Sequence, residues 1–125
     1  MPDNTVTAQT VADLHAAADQ IRRHGWTTGR YRNPETGGVC IDGAIRYAIA
    51  GTHQVETAAG SWERRRVSAA CREVTAYLHD SGWQGGDLTD CNDWEATSPD
   101  EVVAVLETVA GLLADLIDGS KDGAR

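Results

Sequence analysis

The chain has 125 residues, a net charge of −8 and 41% hydrophobic residues. That length suits one domain with a real core, while no stretch approaches the roughly 18 consecutive apolar residues of a membrane span. Its charge is lopsided: residues 1–78 carry eight acidic and nine basic side chains, and residues 79–125 carry eleven acidic and two basic. An acidic half repels phosphate, which argues against nucleic acid as a partner.

Apolar periodicity predicts four helices, and hence an all-α fold: a compact bundle forming a single helical domain over residues 1–125, with its ordered core from about 7 to 119. The first helix is read over residues 7–24, with Val11, Leu14, Ala18 and Ile21 on one face. It stops at Gly25-Trp26. A glycine just past a helix adopts the left-handed conformation without a Cβ clash, and the next residue folds back onto the residue five before it, which pairs Trp26 with Ile21.

The second helix is read over residues 39–50, where Cys40, Ile41, Ala44, Ile45, Ala48 and Ile49 form a broad apolar face ended by Gly51. A strand end at Val39-Cys40-Ile41 is the lesser alternative to this helix start. The third helix covers residues 61–80, with Ser61 as N-cap and a face of Val67, Cys71, Val74, Tyr77 and Leu78. It ends like the first, at Gly82-Trp83, which pairs Trp83 with Leu78. Arg64-Arg65-Arg66 with Arg72 reads as a solvated face pairing with the acidic last helix.

The fourth helix opens on Ser98-Pro99-Asp100-Glu101, an N-cap, a proline at the first helical position and a glutamate placed for a capping box. Val102, Val105, Leu106, Val109, Leu112, Leu113, Leu116 and Ile117 then supply an apolar stripe up to Gly119. Two long connections remain, residues 26–38 and 82–97. Loops above about 12 residues are uncommon in compact domains and often functional. Trp26 in the first, and Cys91, Asn92, Asp93 and Trp94 in the second, are the candidate binding residues.

The sharpest enzymatic possibility is a nucleophilic Cys40. A thiol at a helix start gains from unpaired backbone N–H groups and the helix dipole, both of which lower its pKa. Asp42 stands beside it; His24, His53 or His79 would serve as base, oriented by Asp93 or Asn92. Cys40, Asp42, His79 and Asp93 are the set that an enzyme would use. The competing reading has Cys40 packing with Ile41 and Ala44 as a core residue. Cys71, His79 and Cys91 lack the close spacing of a zinc site. The Asp87, Asp90, Asn92, Asp93, Glu95 series resembles a calcium loop without its sixth-position glycine and twelfth-position glutamate. No metal and no cofactor are therefore expected. Three cysteines, an odd number in no dense framework, and an opening Met1-Pro2-Asp3-Asn4-Thr5 without signal-peptide blocks favour a cytoplasmic protein.

Cys40-Ile41-Asp42-Gly43-Ala44-Ile45 is similar to the Cys-x-x-Gly-Ala-aliphatic segment of an uncharacterised small-domain family of actinobacteria and their phages. Asn92-Asp93, followed by Ser98, Glu101-Val102 and Leu106, resembles the same family's Asn-Asp and capped-helix segments. Val39 stands where that family often carries a tryptophan. The resemblance implies a bacterial or phage cytosolic protein and names no activity. A single lysine among many Ala, Gly, Arg and Asp residues agrees with a high-GC source.

The leading functional reading is a small cytosolic binding or accessory module that engages a protein or small molecule through residues 26–38 and 82–97. Behind it stand a small cysteine-dependent enzyme acting on an acyl or amide group at Cys40, and a phage or host assembly protein. The complementary charge of the two halves gives the last reading a route to head-to-tail homo-oligomers.

Overall fold

The computed structural model describes residues 4–28, 30–55, 60–82 and 98–123, with side chains described from residue 8 to residue 117 within those ranges. Four helices carry the fold: α1 (Asn4–His24), α2 (Ile41–Ala50), α3 (Ser61–Asp80) and α4 (Pro99–Gly123). The chain is an all-α bundle. Helix α1 is its axis, packing most extensively on α4 and next on α2, while α3 closes the remaining side against α1, α2 and α4.

The core is made of the predicted stripes, turned toward one another. Leu14, Ala17, Ala18 and Ile21 of α1 meet Ile41, Ala44 and Ile45 of α2, Val67, Ala70, Val74 and Leu78 of α3, and Val102, Leu106, Val109, Ala110 and Leu113 of α4. Leu112 and Leu116 depart from the predicted stripe and stand exposed, at 49% and 65%. The buried set at 102, 106, 109 and 113 already follows the helical period, and 112 and 116 fall on the flank beside it.

Helix ends follow local chemistry. Gly25, Gly51 and Gly82 all take positive φ just past a helix, at 92°, 72° and 103°. Gly25 donates to the Ile21 carbonyl at 2.8 Å, and Trp26 packs on the core cluster that includes Ile21. Trp83, the matching residue of the second stop, lies outside the described residues. Ser98 Oγ accepts the Glu101 N–H at 3.3 Å, as a cap should. At α3 the cap is Gly60, and Ser61 is instead the first helical residue.

Three helix boundaries differ from those the sequence predicts, α1 opening at Asn4 and not at residue 7. Helix α2 starts at Ile41, because Val39 is extended: its N–H bonds the Gly25 carbonyl at 3.0 Å and its carbonyl accepts from Thr27 at 3.2 Å. Val39 thus bridges to both Trp26 and Arg32, the isolated strand-like pairings among the described residues. Helix α4 runs on to Gly123, past Gly119. One arginine of the α3 run, Arg66, finds a different partner from the one expected. Arg66 holds Asp13 of α1 through Nη2 at 2.7 Å and Nε at 3.1 Å, and that carboxylate is only 5% exposed. The acidic α4 meets α1 instead, where Glu107 pairs with His15 and Arg22.

Candidate functional site

The head of α2 joins the 26–38 loop to the bundle. Cys40 is the N-cap, fully buried, with extended backbone (φ −81°, ψ 176°), and its Sγ accepts the Gly43 N–H at 3.2 Å. Two residues on, Asp42 takes Arg46 Nε at 2.9 Å across one helical turn. Arg46 then does three things at once. Besides holding Asp42 it donates through Nη1 to the His53 carbonyl at 2.9 Å, and its guanidinium lies over the Tyr31 ring, 4.8 Å from the centroid. One planar cation so ties α2 to the loop before it and the turn after it.

Gly43 is what lets the loop approach. A Cβ built there would fall inside the Tyr31 carbonyl group, and that carbonyl accepts the Cys40 N–H at 3.3 Å. The loop itself is closed by an Asn33 turn. Asn33 Oδ1 accepts from Glu35 at 2.9 Å, the Asn33 carbonyl accepts from Gly37 at 2.8 Å, and its N–H returns to the Gly38 carbonyl at 2.8 Å.

This packing opens a cleft of about 630 Å³ lined by Arg30, Tyr31, Arg32, Pro34, Tyr47 and His53. Its rings are held in place by one another. Tyr31 and His53 stack at 5.6 Å, Tyr47 OH meets His53 Nδ1 at 2.9 Å, and the Arg32 guanidinium lies over Tyr47 at 5.5 Å. A smaller cleft of about 240 Å³ shares Arg32 and Tyr47 and includes His24. Among the described residues, no group of three or more His, Cys, Asp and Glu side chains is placed to hold a metal ion.

Residues 5–112 match the Family of unknown function (DUF6197). The chain belongs to that family. The DUF6197 match takes in α1, α2, α3 and the first half of α4, and so contains the whole head of α2 and each described residue lining the cleft. No curated protein and no solved structure matches the chain.

In this DUF6197 member the residues singled out from sequence fall in three places. Cys40 and Asp42 lie together at the head of α2, and the fold adds Cys71 of α3, whose Sγ donates to Asp42 Oδ1 at 3.7 Å. Burial, and next the neighbouring Asp42 charge, push the Cys71 thiol well above its ordinary range. His79 sits exposed in the last turn of α3. Trp26 is half-buried against the core and pairs with Val39, a scaffold position under the loop. Cys91, Asn92, Asp93 and Trp94 lie outside the described residues.

The cleft residues themselves gave little sequence signal. Tyr31 and Tyr47 are isolated aromatics that only the length of the 26–38 connection pointed near, and His53 stood out in the sequence only as one of three possible bases for Cys40. At a second surface feature the sequence pointed to the arginines but not to the tryptophan among them. Trp62, 50% exposed, stands with Arg64, Arg65, Arg66 and Arg72 around a groove of about 720 Å³ between α1 and α3.

Proposed function

We propose that this protein is a small helical binding module whose recognition surface is the cleft between the 30–38 segment and α2. One observation carries the reading: Arg30, Tyr31, Arg32, Tyr47 and His53 converge on a single opening, and four of them are already fixed by ring or hydrogen-bond contacts. A site built before its ligand arrives loses little conformational entropy on binding. Its volume falls within the range of about 300–1,000 Å³ typical of small-molecule pockets. The occupant is a small molecule or one protruding group of a partner protein. Composition and resemblance together suggest a cytosolic protein of high-GC bacteria or their phages.

The test is a fragment titration followed by NMR, using a mixed set of neutral and charged compounds on the whole chain. Saturable shifts of the His53 and Tyr47 ring signals are expected, and Tyr47→Ala should abolish the His53 shift while leaving the helical circular dichroism in place. If no fragment moves those signals, the cleft is not a recognition surface.

The cysteine-enzyme reading, with Cys40, Asp42, His79 and Asp93, meets a physical obstacle. The Cys40 sulfur is buried and accepts the Gly43 N–H as a helix cap, which argues against attack on an acyl or amide substrate. Assembly has one observation in its favour. Half-exposed Trp62 among arginines on α3, and exposed Leu112 and Leu116 on an acidic half, are complementary in both apolar and charge character. Sedimentation at low and high salt tests it, since a charge-driven oligomer dissociates as salt rises.

A further inference from the structure

We infer that the cleft takes an oxyanion, a phosphate ester or a carboxylate, carried on a flat organic group. The inference rests on the binding-module reading above and names its ligand class. In a chain with 19 carboxylates against 11 lysines and arginines, none of the six residues that line the cleft among the described residues is acidic. What they offer instead is two guanidinium groups and the imidazole of His53, with the Tyr47 hydroxyl engaged on that ring. Such a set is rich in donors and suits a ligand rich in acceptors.

The charge at the opening comes from Arg30 and Arg32. Arg46 is close by, but Asp42 neutralises it, so it serves as a strut under Tyr31 and the His53 main chain. Among the described residues neither Arg30 nor Arg32 has a carboxylate partner. Bidentate contact from an arginine fork is the usual way a protein selects planar carboxylate or phosphate oxygens.

His53 adds a directed donor. Its Nδ1 is engaged by Tyr47 OH, which leaves Nε2 as the nitrogen available to a ligand. When the phenol donates to Nδ1, the imidazole carries its proton on Nε2 and presents an N–H. An arriving anion selects that tautomer. Tyr47 thereby acts as a positioning residue for the histidine.

Size and walls give the rest of the ligand. At about 630 Å³ the cleft is far roomier than a bare phosphate or carboxylate needs. Pro34, the Tyr31 and Tyr47 rings and the plane of Arg32 supply flat, weakly polar walls suited to stacking. The same reasoning separates this ligand from a nucleic-acid strand. At physiological salt a single oxyanion feels mainly charges within about 8 Å, whereas a strand must also cross the acidic surface of the chain.

The experiment titrates the full chain with adenosine monophosphate, benzoate, inorganic phosphate and adenosine, reading the ring signals of His53 and Tyr47. The monophosphate or benzoate is expected to bind saturably and at least about tenfold more tightly than inorganic phosphate or adenosine. Arg32→Gln should weaken that binding by about tenfold or more, and Arg64→Gln, a charge change outside the cleft, should leave it unaltered. Preference for the monophosphate identifies a phosphate ester as the ligand class; preference for benzoate identifies a carboxylate. Adenosine binding as well as its monophosphate, with no effect of Arg32→Gln, would overturn the oxyanion while the cleft stands as a binding surface. Silence from all four probes would also overturn it, and neutral fragments moving the same signals would keep the module reading separate from that failure.

Discussion

The carbonyl of Tyr31 lies against the Cα of Gly43, so the loop that carries the cleft is seated on the first turn of α2 with no room for a side chain between them. This contact gives the Cys40-Ile41-Asp42-Gly43-Ala44-Ile45 segment a physical rationale. Cys40 caps, Asp42 anchors Arg46, Gly43 admits the loop, and Ala44 and Ile45 are buried in the core.

Gly43→Ala pits two effects against each other. In a helix interior alanine is favoured over glycine by about 1 kcal/mol, but here its Cβ would occupy the Tyr31 carbonyl. Overpacking against main chain costs about 1–3 kcal/mol and forces the backbone to shift. A net loss of stability in urea unfolding is expected, together with displaced His53 and Tyr47 ring signals. A variant more stable than wild type would show that Tyr31 does not pass over Gly43.

Cys40 should behave as structure. Native protein exposed to a thiol-alkylating reagent should label Cys40 only as fast as the helix opens, and readily once denaturant is added. Cys40→Ala removes the acceptor for the Gly43 N–H and should cost about 1 kcal/mol for the lost cap, with a small further loss from the void. Rapid labelling of Cys40 in the native state would instead move the cysteine-enzyme reading ahead of the binding module.

These contacts show where sequence reasoning reached and where it ended. Helix stops at Gly25, Gly51 and Gly82 are local, because a positive φ at a glycine and a carbonyl a few residues back need no distant partner. The apolar stripes are equally local. Val39 is different: its extended backbone depends on Gly25 and Thr27, which the apolar pattern of residues 39–50 does not encode. The same holds for the cleft. Tyr31, Tyr47 and His53 meet because Gly43 admits the loop and the turn at Gly51 returns His53 alongside Tyr47. Arg66 likewise chose Asp13 on α1 over the acidic α4, a choice set by helix packing and not by net charge.

Asp42 and Arg46 should be strongly coupled. Both side chains are mostly shielded, at 15% and 12% exposed, so removing the carboxylate leaves a guanidinium in a poor solvent. Full burial would make that loss about 3–5 kcal/mol, and the remaining exposure reduces it to about 2–3 kcal/mol for Asp42→Ala. Arg46→Lys keeps the charge but loses the flat contact with Tyr31 and the fork between Asp42 and the His53 carbonyl. A double-mutant cycle by urea unfolding should give a coupling of about 1–2 kcal/mol. Additive effects would mean that the two side chains do not share one interaction.

Cys71 supplies a pH signature at the same place. Its S–H donates to Asp42, and burial followed by that carboxylate holds the native thiol above its ordinary value. In the unfolded chain the thiol ionises near about 8.5. Above that pH the unfolded state has lost a proton that the native state keeps, so the native state is progressively disfavoured. The stabilisation is therefore complete below about 8.5 and falls by about 1.4 kcal/mol per pH unit above it, until the native thiol itself ionises. Other groups titrate in the same window, and Cys71→Ala measured in parallel removes their contribution. Between about pH 8 and pH 10 the wild type should lose about 2 kcal/mol more than Cys71→Ala in urea unfolding. Equal losses in the two proteins would mean that the thiol ionises in the native state much as it does in water, with neither burial nor Asp42 holding its proton.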